Sequence, residues 1–329
     1  MKAIAYSAIG PASDVLQLVD LPTPSPAAGE VLVRLSYSGV NPSDVKARAG
    51  ARPGVTKPPY PQIVPHSDGA GVIEAVGEGV DPARVGQRVW IWNGQWQRPF
   101  GTCAEYIALP QDQAVPLPEG VSDQVGAVLG IPGLTATYVV LGAGPVAGKT
   151  VLVSGGAGMV GHLAVQIAKA SGARVIATAS PGKHQILREC GADVALDYAA
   201  PDLAEQIMQA TNGQGIDHAA ELEFGVNVDL LIEVMAPNSR IMAYGSAKVR
   251  NPEFAFLSMM FKAITLESVL VYLQTPDQRA RTIAALTDLL TAGQVHPRIG
   301  PVFDIADTAQ AHEAVEQNTR QGAVLVKVG

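Results

Sequence analysis

The sequence predicts an α/β protein of two domains, a β-rich domain followed by a doubly wound parallel sheet. Three observations carry that expectation. Over the first ~125 residues short apolar or alternating runs are broken by proline- and glycine-bearing turns. From Thr150 onward, apolar runs alternate with helical patterns, the order of a parallel sheet with helical crossovers. Between the two regimes, a short apolar run enters a glycine turn that opens a helix.

Length and composition agree with this. A chain of 329 residues suits two domains of ordinary size, and 47% hydrophobic residues are enough for sizeable cores. Charged residues, at 16%, are too few for a disordered chain, and a net charge of −7 argues against a binder of nucleic-acid backbone. Cys103 and Cys190 are the only cysteines, so neither a disulfide framework nor a thiolate zinc cluster is expected. The opening MKAIAYSAIG lacks a cleavable hydrophobic core, and no apolar run approaches the ~20 residues of a membrane span. The expectation is a soluble, cytoplasmic protein with no membrane or nucleic-acid partner.

In chain order, strands are expected at Ala3 to Tyr6, Val31 to Tyr37, Gly71 to Val76, Arg88 to Ile91 and Glu105 to Ala108. Dense prolines, among them Pro58, Pro59, Pro61 and Pro65, oppose long helices there. The segment from Val121 turns helical on either side of Pro132. Strands then follow at Val151 to Ser154, Arg174 to Thr178, Val194 to Leu196, Ile216 to Ala220, Arg240 to Tyr244 and Leu266 to Tyr272. Helices are expected at Leu203 to Ala210, Val228 to Met235 and Asp277 to Ala292, and a last strand at Ala323 to Val328. If that tail returns to the first domain, one unit covers 1–125 and 273–329, and the inserted unit covers 126–272.

The stretch TVLVSGGAGMVGHLAVQIAKASG, from Thr150, organises the second unit. Gly155, Gly158 and Gly161 follow its strand, Val160, Leu163, Ala164 and Ile167 share a helix face, and Gly172 stops the helix. Glycines let the backbone approach a pyrophosphate, and a helix N-terminus offers free N–H groups and partial positive charge. The turn therefore reads as a dinucleotide site. In such folds an acid closing the second strand holds the 2′-hydroxyl of NAD. Here that strand closes on Thr178, Ala179 and Ser180, with Lys183 just beyond and Tyr198 after the third strand. A cation and hydroxyls without a carboxylate suit a 2′-phosphate, so NADPH is the expected cofactor.

In this order, SGVNPSD at Ser38, SDGAGVIEAVG at Ser67, VGQRVW at Val85, GTCAEY at Gly101, IPGLTATY at Ile131, SGGAGMVG at Ser154 and MAYGS at Met242 resemble the medium-chain dehydrogenase/reductase superfamily. Within it, the chain resembles the zinc-free quinone oxidoreductases that include zeta-crystallin. The resemblance implies a GroES-like β-rich catalytic domain packed on a Rossmann domain, with the active site in the cleft. It places Ala157, Gly158, Met159 and Val160 on the pyrophosphate and Lys183 and Tyr198 on the 2′-phosphate. Gly245, Ser246 and Leu270 would lie along the cofactor, and Asn41 and Thr135 near nicotinamide or substrate. Lys46 and Arg52 stand where the family often has aromatic residues; a basic pocket mouth is implied, with Lys46 within reach of cofactor.

Zinc-dependent relatives have a cysteine at Asn41, a His–Glu pair at Ser67 and Asp68, and a third ligand near Ile131 and Pro132. Zinc needs about three nitrogen, sulfur or carboxylate ligands in a catalytic site, so no metal is expected. His66 with Asp68 reads as a turn histidine beside a strand-entry carboxylate rather than a displaced metal pair. Trp90, Trp92, Trp96 and Arg98 could form a substrate rim or pack on the β core. FAFLSMMF, from Phe254, fits a cleft lining, a core or a dimer interface, and a homodimer is expected. Cys103 has no histidine at a readable spacing. The expected activity is NADPH-dependent reduction of a quinone or other conjugated carbonyl. Alternatives are an enone, alkenal or enoyl-thioester reductase and, in another class, an NADPH-binding structural or RNA-binding protein.

Overall fold

The computed structural model describes residues 1–51, 54–317 and 321–329. The chain divides into two compact units, Met1–Ile131 with Pro297–Gly329, and Pro132–His296.

The first unit is built on a seven-stranded sheet. Its spine is Glu30–Val40, which pairs antiparallel with Asp68–Val76, with Tyr106–Pro110 and with Ala323–Lys327. Alternation along the spine sends Val31, Val33 and Leu35 into a core shared with Ile73, Val89, Ile107, Val324 and Val326. Arg88–Ile91 and Ala114–Pro116 extend one side, and Ile299–Asp304 lies parallel to Ala323–Lys327 on the other. The C-terminal tail thus returns to the first unit as a sheet strand. Trp90 is fully buried and belongs to no surface rim, while Arg98 donates to Gln113 at 2.6 Å.

The second unit is a six-stranded parallel sheet in the order Val194–Asp197, Arg174–Ala179, Thr150–Val153, Ile216–Glu221, Met235–Ala243, Thr265–Ser268. Numbered along the chain this is 3-2-1-4-5-6, the doubly wound order with its switch point between the first and fourth strands. Both faces are covered. Val151 and Val153 join one core with Leu163, Ile167 and Val175, and Leu152 and Ile176 join another with Ile207, Leu231 and Ile241.

Three local expectations change. The helix expected from Val228 begins at Phe224 and runs directly into a longer fifth strand, Met235–Ala243. The sixth strand stops at Ser268 because its only neighbour stops at Ala243; Val271–Leu273 is a 3-10 turn. Helix Pro276–Thr291, expected with the first unit, packs with the parallel sheet: its Leu289, and Val295 just beyond it, enter the core of Val151 and Leu163.

Candidate active site

The phosphate-type turn forms where the sequence places it. Gly155 takes a left-handed φ of +66°, and a side chain there would meet Leu222 Cδ2 at 2.7 Å. Its N–H donates to Thr178 Oγ1 at 3.3 Å and that of Gly156 to the Thr178 carbonyl at 2.9 Å, which ties the turn to the second strand. Helix Met159–Ala170 starts at once, with exposed Gly158 as its N-cap. A Cβ on Gly158 would come no closer to the protein than 3.3 Å, to Gly155 O, whereas one on Gly161 would strike the same oxygen at 2.3 Å. Gly161 is therefore required by the fold, and Gly158 keeps open the space over the helix N-terminus. Ala157, Met159 and Val160 are half-buried around that opening. An anionic group fits here on charge and on space.

The carboxyl ends of the neighbouring strands carry the other expected cofactor residues. Asp197 pairs in register with Ala179, so half-buried Ser180, exposed Lys183 and exposed Tyr198 follow adjacent strand ends. Ser180 accepts the Lys183 N–H at 2.8 Å through its carbonyl, and its hydroxyl makes no capping bond. No carboxylate closes the second strand. Gly245 follows the fifth strand, and a Cβ there would lie 2.2 Å from Leu222 O. The Ser246 hydroxyl accepts the Gly225 N–H at 2.9 Å and donates to the Val249 carbonyl, so it holds its own loop. Leu270, 49% exposed, follows the sixth strand.

Sequence reasoning missed Glu221, which ends the fourth strand at the switch point. Its carboxyl is buried, which pushes its pKa up, and Oε1 accepts the Glu223 N–H and Asn227 Nδ2–H. An acid closing the apolar run IDHAAE was the available signal. Thr135 lies in this unit, buried in helix Leu134–Leu141.

Asn41 and Lys46 lie in the first unit; Arg52 falls outside the described residues. Asn41 caps helix Pro42–Arg48, and its backbone N–H donates to Asp44 Oδ2 at 2.8 Å. Its side-chain amide donates to Asp68 Oδ2 at 2.8 Å, an oxygen that also accepts the Ile131 N–H at 3.0 Å. Burial, and secondarily the Asp44 charge, holds the Asp68 carboxyl well above the usual carboxylate range. Gly130 makes room for it, since a Cβ there would lie 2.3 Å from Asp68 Oδ1. Exposed Lys46 sits on the same helix and so belongs to the first unit, whereas the other cofactor candidates belong to the second.

His66 does not converge on Asp68. It is fully buried with φ +78°; Nδ1 lies 2.8 Å from Ser38 Oγ and Nε2 lies 2.8 Å from His312 Nε2. The zinc positions carry an amide at Asn41, a hydroxyl at Ser67 and a carboxylate already bonded to Asn41 and Ile131. That donor set does not fit a catalytic zinc. Among the described residues no group of three His, Cys, Asp or Glu side chains could hold a metal.

Comparison with known proteins gives two family matches. "Alcohol dehydrogenase GroES-like domain" matches residues 27–149, and "Zinc-binding dehydrogenase" matches residues 159–290. A quinone oxidoreductase of Sus scrofa is 32% identical over 299 residues, covering 90% of this chain and 88% of that protein. The chain belongs to the quinone oxidoreductase family. Its β-rich unit is GroES-like and its parallel-sheet unit Rossmann-like. The quinone oxidoreductase of Thermus thermophilus, whose NADPH complex is also known, is similar with a TM-score of 0.81, at 29% identity and full coverage of both chains. An NAD-dependent alcohol dehydrogenase is similar with a TM-score of 0.86, at 29% identity, again over both whole chains. Likeness of fold therefore leaves the choice of nicotinamide cofactor to the residues at the strand ends.

Proposed function

We propose that this protein is an NADPH-dependent reductase of quinones and other conjugated carbonyls. The single observation that carries this reading is the open helix N-terminus at Gly158, with Lys183 and Tyr198 beyond the second and third strands and no carboxylate closing the second. The quinone oxidoreductase relatives support the reaction class.

When bound, NADPH supplies the hydride. The amides from Ala157 to Gly161 hold the pyrophosphate, and Lys183, Tyr198 and Ser180 hold the 2′-phosphate. Gly245 and Leu270 line the cofactor at the fifth and sixth strand ends, while Ser246 fixes the loop from Gly225 to Val249. Thr135 orients the nicotinamide. Asn41 donates to the acceptor oxygen; Asp68 keeps its side-chain amide from rotating away, and Asp44 holds its backbone N–H. Lys46, in the last turn of the helix that Asn41 caps, adds positive charge to that helix. A neutral amide stabilises charge less than a metal would, which favours acceptors that spread developing charge over a conjugated system.

The chain acts as a cytoplasmic homodimer in this reading. Phe256, Leu257 and Phe261 are 64%, 61% and 82% exposed on helix Phe256–Phe261, next to the edge strand Thr265–Ser268. No helix among the described residues is long and apolar enough to cross a membrane.

The test follows NADPH oxidation with a quinone, an enone and a simple aldehyde, before and after exhaustive chelation. Quinone or enone should be preferred, with chelation without effect, and Asn41→Ala should slow turnover by ~10–10³-fold. Preference for the aldehyde, or activity restored only by zinc, would overturn the reading.

A further inference from the structure

A second pairing of reactive side chains lies in the parallel-sheet unit, beyond the phosphate turn. His162 stands in the first turn of helix Met159–Ala170, and Cys190 is the C-cap of helix His184–Glu189. Cys190 Sγ lies 2.9 Å from His162 Nδ1, and His162 Nε2 lies 3.1 Å from the His296 carbonyl oxygen. A carbonyl can only accept, so Nε2 carries the proton and Nδ1 is the nitrogen left to receive one. Gln166, 8% exposed, fixes that carbonyl. Its Oε1 accepts the His296 N–H at 2.8 Å, and its Nε2 donates to the His296 and His162 carbonyls at 3.3 and 3.2 Å.

A thiol aimed at a basic imidazole nitrogen, with the imidazole held by a third group, is the arrangement of an activated nucleophile. Both side chains are partly exposed, so a reagent can reach them. Cys190 ends its helix, where the dipole disfavours a standing thiolate. The nucleophile is thus generated by proton transfer to His162 during attack. Of the charged groups around the pair, Lys169 on the helix of His162 is bonded to Asp193 at 2.6 Å, and Arg188 and Glu189 beside Cys190 are exposed. Cys103 offers the contrast: fully buried, with no imidazole, its thiol is pushed up to about 12 by burial.

We propose that Cys190 is a nucleophilic modification site for electron-poor alkenes, with His162 as its base. Naming conjugated enones and quinones as its natural reagents rests on the function proposed above; the Cys–His pair itself does not. In the reaction, Sγ bonds to the β-carbon of the alkene as the C=C π pair shifts toward the carbonyl oxygen. The thiol proton passes to His162 Nδ1 and returns to the α-carbon, leaving a saturated carbonyl thioether from an enone and, once the ring proton has moved to oxygen, a hydroquinone thioether from a quinone. The addition is redox-neutral and needs no co-reactant.

The test uses the full chain without NADPH, treated with N-ethylmaleimide from pH 6 to 9 and followed by intact mass and peptide mapping. One adduct is expected, at Cys190, absent in Cys190→Ser and formed at least tenfold more slowly at pH 7 in His162→Gln. In the wild-type chain the rate should be nearly level from pH 7 to 8, where an unassisted thiol of pKa ≈ 8.5 gains roughly eightfold. An eightfold rise in the wild-type chain, equal labelling of Cys103, or an unchanged rate in His162→Gln would overturn the proposal. The wild-type profile needs no variant to fold, and alkylation read without NADPH stands apart from any failure of turnover.

Discussion

Lowering the pH from 7 to 5 should destabilise the first unit through the buried pair His66 and His312. The rings stack with centroids 5.1 Å apart, and both residues are 0% exposed. Burial holds His66 well below its ordinary value, with His312 adding to the effect, and burial followed by the Arg48 charge takes His312 down to about 3. His312 therefore stays neutral in the folded chain at pH 5, and His66 is shifted in the same direction, while the unfolded chain protonates both below about 6.5. A depressed folded pKa gives stability that is present above the unfolded value and lost as pH falls. Over this interval the loss from His312 is ~2 kcal/mol. Denaturant titrations of wild type and His312→Gln at pH 7 and pH 5 isolate the His312 contribution, because burial, the larger cause, still holds His66 down in the variant. The wild-type chain should lose ~2 kcal/mol more than the variant between the two pH values. Equal losses, within 0.5 kcal/mol or so, would mean that His312 is not held neutral.

Asp68 should act with the opposite sign. Its raised folded pKa makes it stabilising at low pH and costly once pH rises through that value. Asp68→Asn should therefore gain on wild type as pH rises from 5 to 8 in the same titrations; no gain would place the carboxyl in the ordinary range. Gly158→Val should bind NADPH at least a hundredfold more weakly while its circular dichroism is unchanged, since the added side chain enters only the open space above the helix N-terminus. Unchanged affinity would make the turn merely structural.

Much of the fold was legible because its signals are local. The glycine turn, the alternating strands and helices and the missing acid after Thr178 all lie within one continuous stretch. Extents were harder to read where a neighbour decides them. Leu266 to Tyr272 has strand composition throughout, yet pairing ends at Ser268 because Met235–Ala243 offers nothing further. Helix Pro276–Thr291 has an ordinary amphipathic pattern, and nothing in that pattern says which sheet it covers. Asn41 was legible as a residue, but its clamping by Asp68 joins positions 27 residues apart. The pairings of Cys190 with His162 and of His66 with His312, separated by 28 and 246 residues, exist only once the chain is folded.

The most direct measurement of the proposed cofactor chemistry is kcat/KM for NADPH and NADH with one quinone, in wild type and Lys183→Ala. A charge-assisted contact to phosphate is worth ~1.5–3 kcal/mol, or roughly tenfold to a hundredfold in affinity. Wild type should prefer NADPH by that factor, and Lys183→Ala should lose most of the preference while NADH changes little. A native preference for NADH, or equal losses with both cofactors, would contradict the assignment of Lys183 and Tyr198 to a 2′-phosphate.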